Sequence, residues 1–138
     1  MFRDGVTLDA LNALSKNTAI EALGIVFTGI GRDWLQATMP VDARTHQPYG
    51  LLHGGASALL AETLGSTAGA LCVPEGHGVV GIEINANHVR GVRSGTVTGT
   101  ARPLHVGRRT QVWEIRIEDG DGRLVCISRL TTAVVPRP

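Results

Sequence analysis

Apolar positions recur at helical spacing in two stretches and at strand spacing elsewhere, and that alternation sets out the fold. In TLDALNALSKN (7–17), Leu8, Leu11 and Leu14 fall on one helical face behind Thr7, a residue suited to cap a helix start, which predicts a short helix. Two strand-like runs follow, LGIVFTGI (23–30) and DWLQATMP (33–40), parted by the turn-prone Gly31-Arg32. VDARTHQPYG (41–50), broken by Pro48 and Gly50, reads as a loop. From about Gly54 to about Leu71 the period is helical again, with Leu60, Leu64, Thr67 and Leu71 on one ridge, and PEGHG (74–78) closes the helix.

Beyond it the period becomes two. Ile82, Ile84 and Ala86 alternate with Glu83, Asn85 and Asn87 in 79–89. Val97, Gly99 and Ala101 alternate with threonines and Arg102 in 95–106, and Trp113, Ile115 and Ile117 with Glu114, Arg116 and Glu118 in 111–118. DGDG (119–122) predicts a hairpin turn into a last strand, 123–135. One long apolar helix with five or six strands, four of them consecutive, predicts an α+β domain with an antiparallel sheet packed on that helix. At 138 residues the chain fits one domain.

The helix carries a second stripe: Gly55, Ala58, Glu62, Gly65 or Ser66, and Gly69. Its members are small except for one glutamate. Each glycine inside a helix costs about 0.5–1 kcal/mol relative to alanine, so Gly54, Gly55, Gly65 and Gly69 imply close approach by a second copy of the chain or by a ligand. A carboxylate among apolar neighbours is costly unless it is paired or used. Glu62 is therefore the residue to explain.

Composition narrows the function. The chain is 43% hydrophobic with a net charge of +1 and no basic run, which argues against nucleic acid as partner. Its cations are twelve Arg to one Lys, and Arg is the better bidentate ligand for phosphate. Cys72 and Cys126, far apart and without a CxxC, predict neither a disulfide framework nor a metal site. Asp4 and Asp9 interrupt any signal-like apolar run, and no stretch approaches the length of a membrane span; the expectation is a soluble, cytoplasmic protein with no membrane partner.

The start of the long helix offers unpaired amides and the positive end of its dipole, with Gly54 and Gly55 leaving the approach open to an anion or a developing oxyanion. His53 and Gln47 stand beside it as further donors. Glu62 lies eight residues on from Gly54, about 12 Å along the axis, out of reach of an oxyanion at its own helix start but not of one held by a second subunit. Phosphate-loop, dinucleotide and serine-elbow motifs are absent.

The segments PYGLLHGGASALLAETLGS, VVGIEINANHVRG, PLHVGRRTQVWEIRIED and GRLVCISRLTTAVV resemble the hotdog-fold acyl-CoA thioesterases, in the branch of dihydroxynaphthoyl-CoA and enterobactin-pathway proofreading thioesterases. The likeness runs from about residue 23 to the end; residues 1–22 add little to it. It implies a hotdog domain over 1–138, with 1–22 as an N-terminal helical segment, assembling as a homodimer or a dimer of dimers. It implies hydrolysis of an acyl-CoA, of an aromatic acyl group above all, with no cofactor. Glu62 falls on the family's nucleophile or general base, Gln47 and the amide of Gly54 or Gly55 on the groups that bind the thioester carbonyl, His53 on the histidine that supports the carbonyl or the departing thiolate, and Ser66 on the position that helps hold the attacking water. CoA contacts fall on Gly81, on His88, Val89, Arg90 and Gly91, and on His105, Val106, Gly107, Arg108, Arg109 and Thr110. An acyl or aryl carrier protein in place of CoA, a hotdog enoyl or hydroxyacyl thioester hydratase or dehydratase using His53 and Glu62, and a non-catalytic acyl-CoA sensor are the alternatives; 22 weakly basic N-terminal residues are few for a sensor's DNA-binding part.

Overall fold

The computed structural model describes residues 1–137. Helices α1 (Leu8–Leu14) and α2 (Ala19–Ala22) lead into strands β1 (Val26–Ile30) and β2 (Leu35–Pro40). Helix α3 (Gly54–Ala70) follows, then β3 (His77–His88), β4 (Thr96–Val106), β5 (Thr110–Glu118) and β6 (Leu124–Pro136). The strands form one antiparallel sheet in the order β1-β2-β4-β5-β6-β3. α3 packs on β2 through β6, so the sheet wraps the helix as the resemblance implies.

The period-two residues form the wrapping surface. Val97 and Ala101 of β4, Trp113, Ile115 and Ile117 of β5 and Leu130 of β6 are fully buried against Leu60 and Leu64 of α3. The helix lies close to the sheet because side chains are missing where it crosses. A Cβ on Gly99 would stand 2.7 Å from Leu64 Cδ1, and one on Gly65 would stand 2.6 Å from Leu130 Cδ2. At the far end of α3, the buried Gln111 donates to Gly69 O at 3.3 Å and accepts from Trp113 Nε1 at 3.0 Å, which ties helix to sheet with its polar groups satisfied. Gly65 and Gly69 therefore serve the chain's own sheet. Of the predicted small stripe, Gly55, Ala58, Glu62 and Ser66 instead line a shared cleft.

Two other expectations change. The alternation of Ile82 with Ile84 and Ala86 breaks at a bulge between Gly81 and Glu83, which turns Ile82 out to 59% exposure. The predicted strand at 23–30 starts later, at Val26, because residues 19–22 form α2, capped by Thr18. The one at 33–40 starts at Leu35, after a turn in which Gly31 N donates to Trp34 O at 2.9 Å. The N-terminal segment is also tied in. Leu11 is buried, and Asn12 clamps β1 by donating to Phe27 O at 3.0 Å and accepting from Phe27 N at 2.9 Å.

Candidate active site

The loop before α3 is fixed by hydrogen bonds, and it sets the donors near the helix start. Buried Thr45 donates to Pro40 O at 2.8 Å, His53 N donates to Thr45 O at 2.7 Å, and Leu52 N donates to Val92 O at 2.7 Å. His46 Nε2 donates to Arg93 O at 2.8 Å, which joins this loop to the segment after β3. Within it, Gln47 Oε1 accepts from the Tyr49 amide. The carboxamide oxygen is thus engaged, and the Gln47 NH₂ is the end left to donate.

His53 caps α3. Its Nδ1 accepts from Gly55 N at 2.8 Å, so in the neutral ring the proton sits on Nε2, on an exposed side chain. That bond separates two amides the sequence could not tell apart. Gly55 N–H is occupied by the histidine, while Gly54 N–H has no acceptor among the described residues. The His88 ring stands over Gly54, its Nε2 2.9 Å from where a Cβ would be.

Glu62 lies on the next two turns of α3, half-buried, in a cleft of about 470 Å³. Gly55, Ala58, Leu59, Ser66 and Ile84 line it, and so do Ala19 and Ile20 of α2, which the sequence gave no reason to include. Among the described residues Glu62 accepts no hydrogen bond and makes no ion pair, and the Ser66 hydroxyl one turn on is equally unengaged. The lone pairs of this carboxylate are thus unused among the described residues. The thiols do not compete with it, since burial pushes both Cys72 and Cys126 up and leaves them protonated near neutral pH.

The two remaining groups of expected contacts do not meet in one chain. His88 pairs with Cys126 on β6, and Thr110 pairs with Ala133 on β5–β6, seven residues along the same strand or roughly 23 Å. Arg90 and Gly91 line one hollow with the 119–123 turn; Val106, Gly107 and Arg108 line another, of about 670 Å³, with Cys72, Pro74, His77 and Val134. Arg123 is held by Asp119 and Asp121, whereas Arg90, Arg108 and Arg109 are exposed and make no ion pair among the described residues. Gly81 belongs to neither group, because its backbone lies against Glu62.

A long helix wrapped by one antiparallel sheet makes this a hotdog-fold protein. Residues 49–126 match the model of the thioesterase superfamily, and the chain belongs to that family of thioester hydrolases. It is 61% identical over 130 residues to the proofreading thioesterase EntH of Cronobacter sakazakii, covering 94% of this chain and 95% of the relative. It is 58% identical to the 1,4-dihydroxy-2-naphthoyl-CoA hydrolase of Escherichia coli, covering 94% and 96%. A crystal structure of a Haemophilus influenzae thioesterase superposes with a TM-score of 0.96 at 53% identity, over 98% of this chain and 94% of that one.

Proposed function

We propose that this thioesterase hydrolyses aromatic acyl-CoA thioesters, of the benzoyl or dihydroxynaphthoyl type, and that Glu62 performs the chemistry. The observation that carries this reading is the unpartnered Glu62 carboxylate in an apolar cleft. The cleft's walls of Ile20, Leu59 and Ile84 suit a flat apolar group, and a relative is named for a naphthoyl-CoA substrate.

The parts suffice without a cofactor. In one route a Glu62 oxygen attacks the thioester carbonyl, the CoA thiolate leaves and takes up a proton, and water cleaves the resulting anhydride to free acid and regenerated carboxylate. In the other, Glu62 takes a proton from water, the hydroxide attacks, and the proton passes to the departing thiolate, with Ser66 holding the water. Label found in Glu62 after a single turnover in oxygen-18 water identifies the anhydride route, since the general-base route puts none there. In both, the tetrahedral oxyanion needs donors: the Gly54 amide, the Gln47 NH₂ and the Nε2–H of His53, each typically worth about 2.7–4 kcal/mol in such a role.

Of those donors the Gly54 amide lies about 12 Å from Glu62 along the same helix, so the reading requires a second copy. An edge favours it. β3 is twelve residues long, carries no Lys or Pro, and exposes Val80 (47%) and Ile82 (59%) along its unpaired side. Two such edges paired antiparallel about a two-fold axis bring the His77 end of one β3 beside the His88 end of the other. Arg90 of one protomer and Arg108 and Arg109 of its partner then serve one CoA, in the manner that arginines grip phosphates. The first test is Glu62→Gln. Thiol release from benzoyl-CoA is expected to fall by about 10³-fold or more with the fold intact by circular dichroism; a rate near that of the parent removes Glu62 from the mechanism.

A further inference from the structure

We propose that Gly81 is a positioning residue for Glu62: its missing side chain is the seat of the catalytic carboxylate. This rests on the reading of Glu62 above but not on which thioester it cleaves. Among the described residues, Glu62 has no hydrogen bond and no cation to hold it, so packing alone fixes where the carboxylate lies. On the β3 side the contact is the bare backbone of Gly81. A Cβ built there runs into Glu62 Oε1, with the Glu62 carboxyl carbon at 3.3 Å and Leu130 Cδ1 at 3.5 Å.

Gly81 does not need to be glycine for its own backbone, which is not in the left-handed region. The strand does need an irregularity there. Gly81 pairs with Thr132 and Glu83 with Thr131, so Ile82 is the extra residue and is turned out of the sheet. Bulges re-aim neighbouring groups, and this one brings the side-chain-free position under the carboxylate. Gly78, three residues earlier on the same strand, has nothing within 4 Å of its would-be Cβ and serves as the matched control.

Gly81→Ala should fold, because the atom it meets is the tip of a flexible side chain that can swing away. That swing is what the variant tests. A displacement of about 1 Å in a reacting group costs about 100-fold. Gly81→Ala should therefore lower kcat by about that factor while KM stays within about threefold, and Gly78→Ala should leave both unchanged. Glu62→Asp withdraws the carboxylate by one methylene, so combining it with Gly81→Ala should cost no more than Glu62→Asp alone. A purely structural role would give additive losses. A readout without turnover is the carboxyl ¹³C signal of Glu62 in protein labelled at glutamate, assigned by its loss in Glu62→Gln; it should move in Gly81→Ala and stay in Gly78→Ala. An unmoved signal, additive losses, or a rise in KM at constant kcat overturns the proposal. A moved signal in a protein that cleaves no CoA thioester upholds the seat and instead refutes the function proposed for it.

Discussion

Single bonds at the start of α3 decide what each residue there can do. The Nδ1 of His53 accepts from Gly55 N, so the histidine presents a donor at Nε2 and the open amide is that of Gly54. Tyr49 N holds Gln47 Oε1 in the same way, and turns the glutamine's NH₂ into its working end. A prediction at this scale follows from the second bond. Gln47→Ala should lower kcat by about 10²-fold or more, the usual cost of one oxyanion donor, with a smaller change in KM. Gln47→Glu should not restore it, because a carboxylate has no proton to donate. Steady-state assay of both variants checks the pair, and activity restored by Gln47→Glu contradicts the role.

At the scale of elements, the N-terminal segment does more than cover the core. α2 walls the cleft of Glu62 through Ala19 and Ile20, and α1 is held to β1 by the paired bonds of Asn12 with Phe27. Asn12→Ala leaves two part-buried backbone groups without partners, a loss of about 1–3 kcal/mol, to be read as a lower urea midpoint at unchanged slope; an unaltered midpoint means that the clamp is idle. α2 was nearly invisible in the sequence, since four residues make too short a window for a helical period. The bulge at Ile82 was hidden for another reason: period two records which residues alternate, and an inserted residue on an edge strand leaves no mark in that pattern. By contrast α3 and β5 were legible from Leu60, Leu64, Trp113, Ile115 and Ile117, because each is buried where its spacing put it. The site divides likewise. Glu62 stood out as an expensive residue in the wrong company, whereas the glycines gave no direction. Gly65 and Gly69 face the chain's own sheet, Gly55 lies in the cleft, and Gly81, expected at CoA, lies under the carboxylate.

For the whole molecule, the proposed mechanism has each protomer hold two halves of different sites. Glu62 and the Gly54 amide sit about 12 Å apart along the axis of one helix, and the two arginine groups sit at opposite ends of one sheet. Pairing along the exposed β3 edge resolves both separations with a single two-fold axis. It also predicts that no chain hydrolyses its substrate alone. The most direct measurement is complementation between two inactive chains, Glu62→Gln and Gln47→Ala, carrying different tags and purified as the mixed dimer. If the carboxylate of one protomer serves the oxyanion donors of its partner, one of the two sites in that dimer is intact, and benzoyl-CoA hydrolysis returns to about half the parent rate. A mixed dimer as inactive as either variant alone would mean that both groups act within one chain, and would contradict the account.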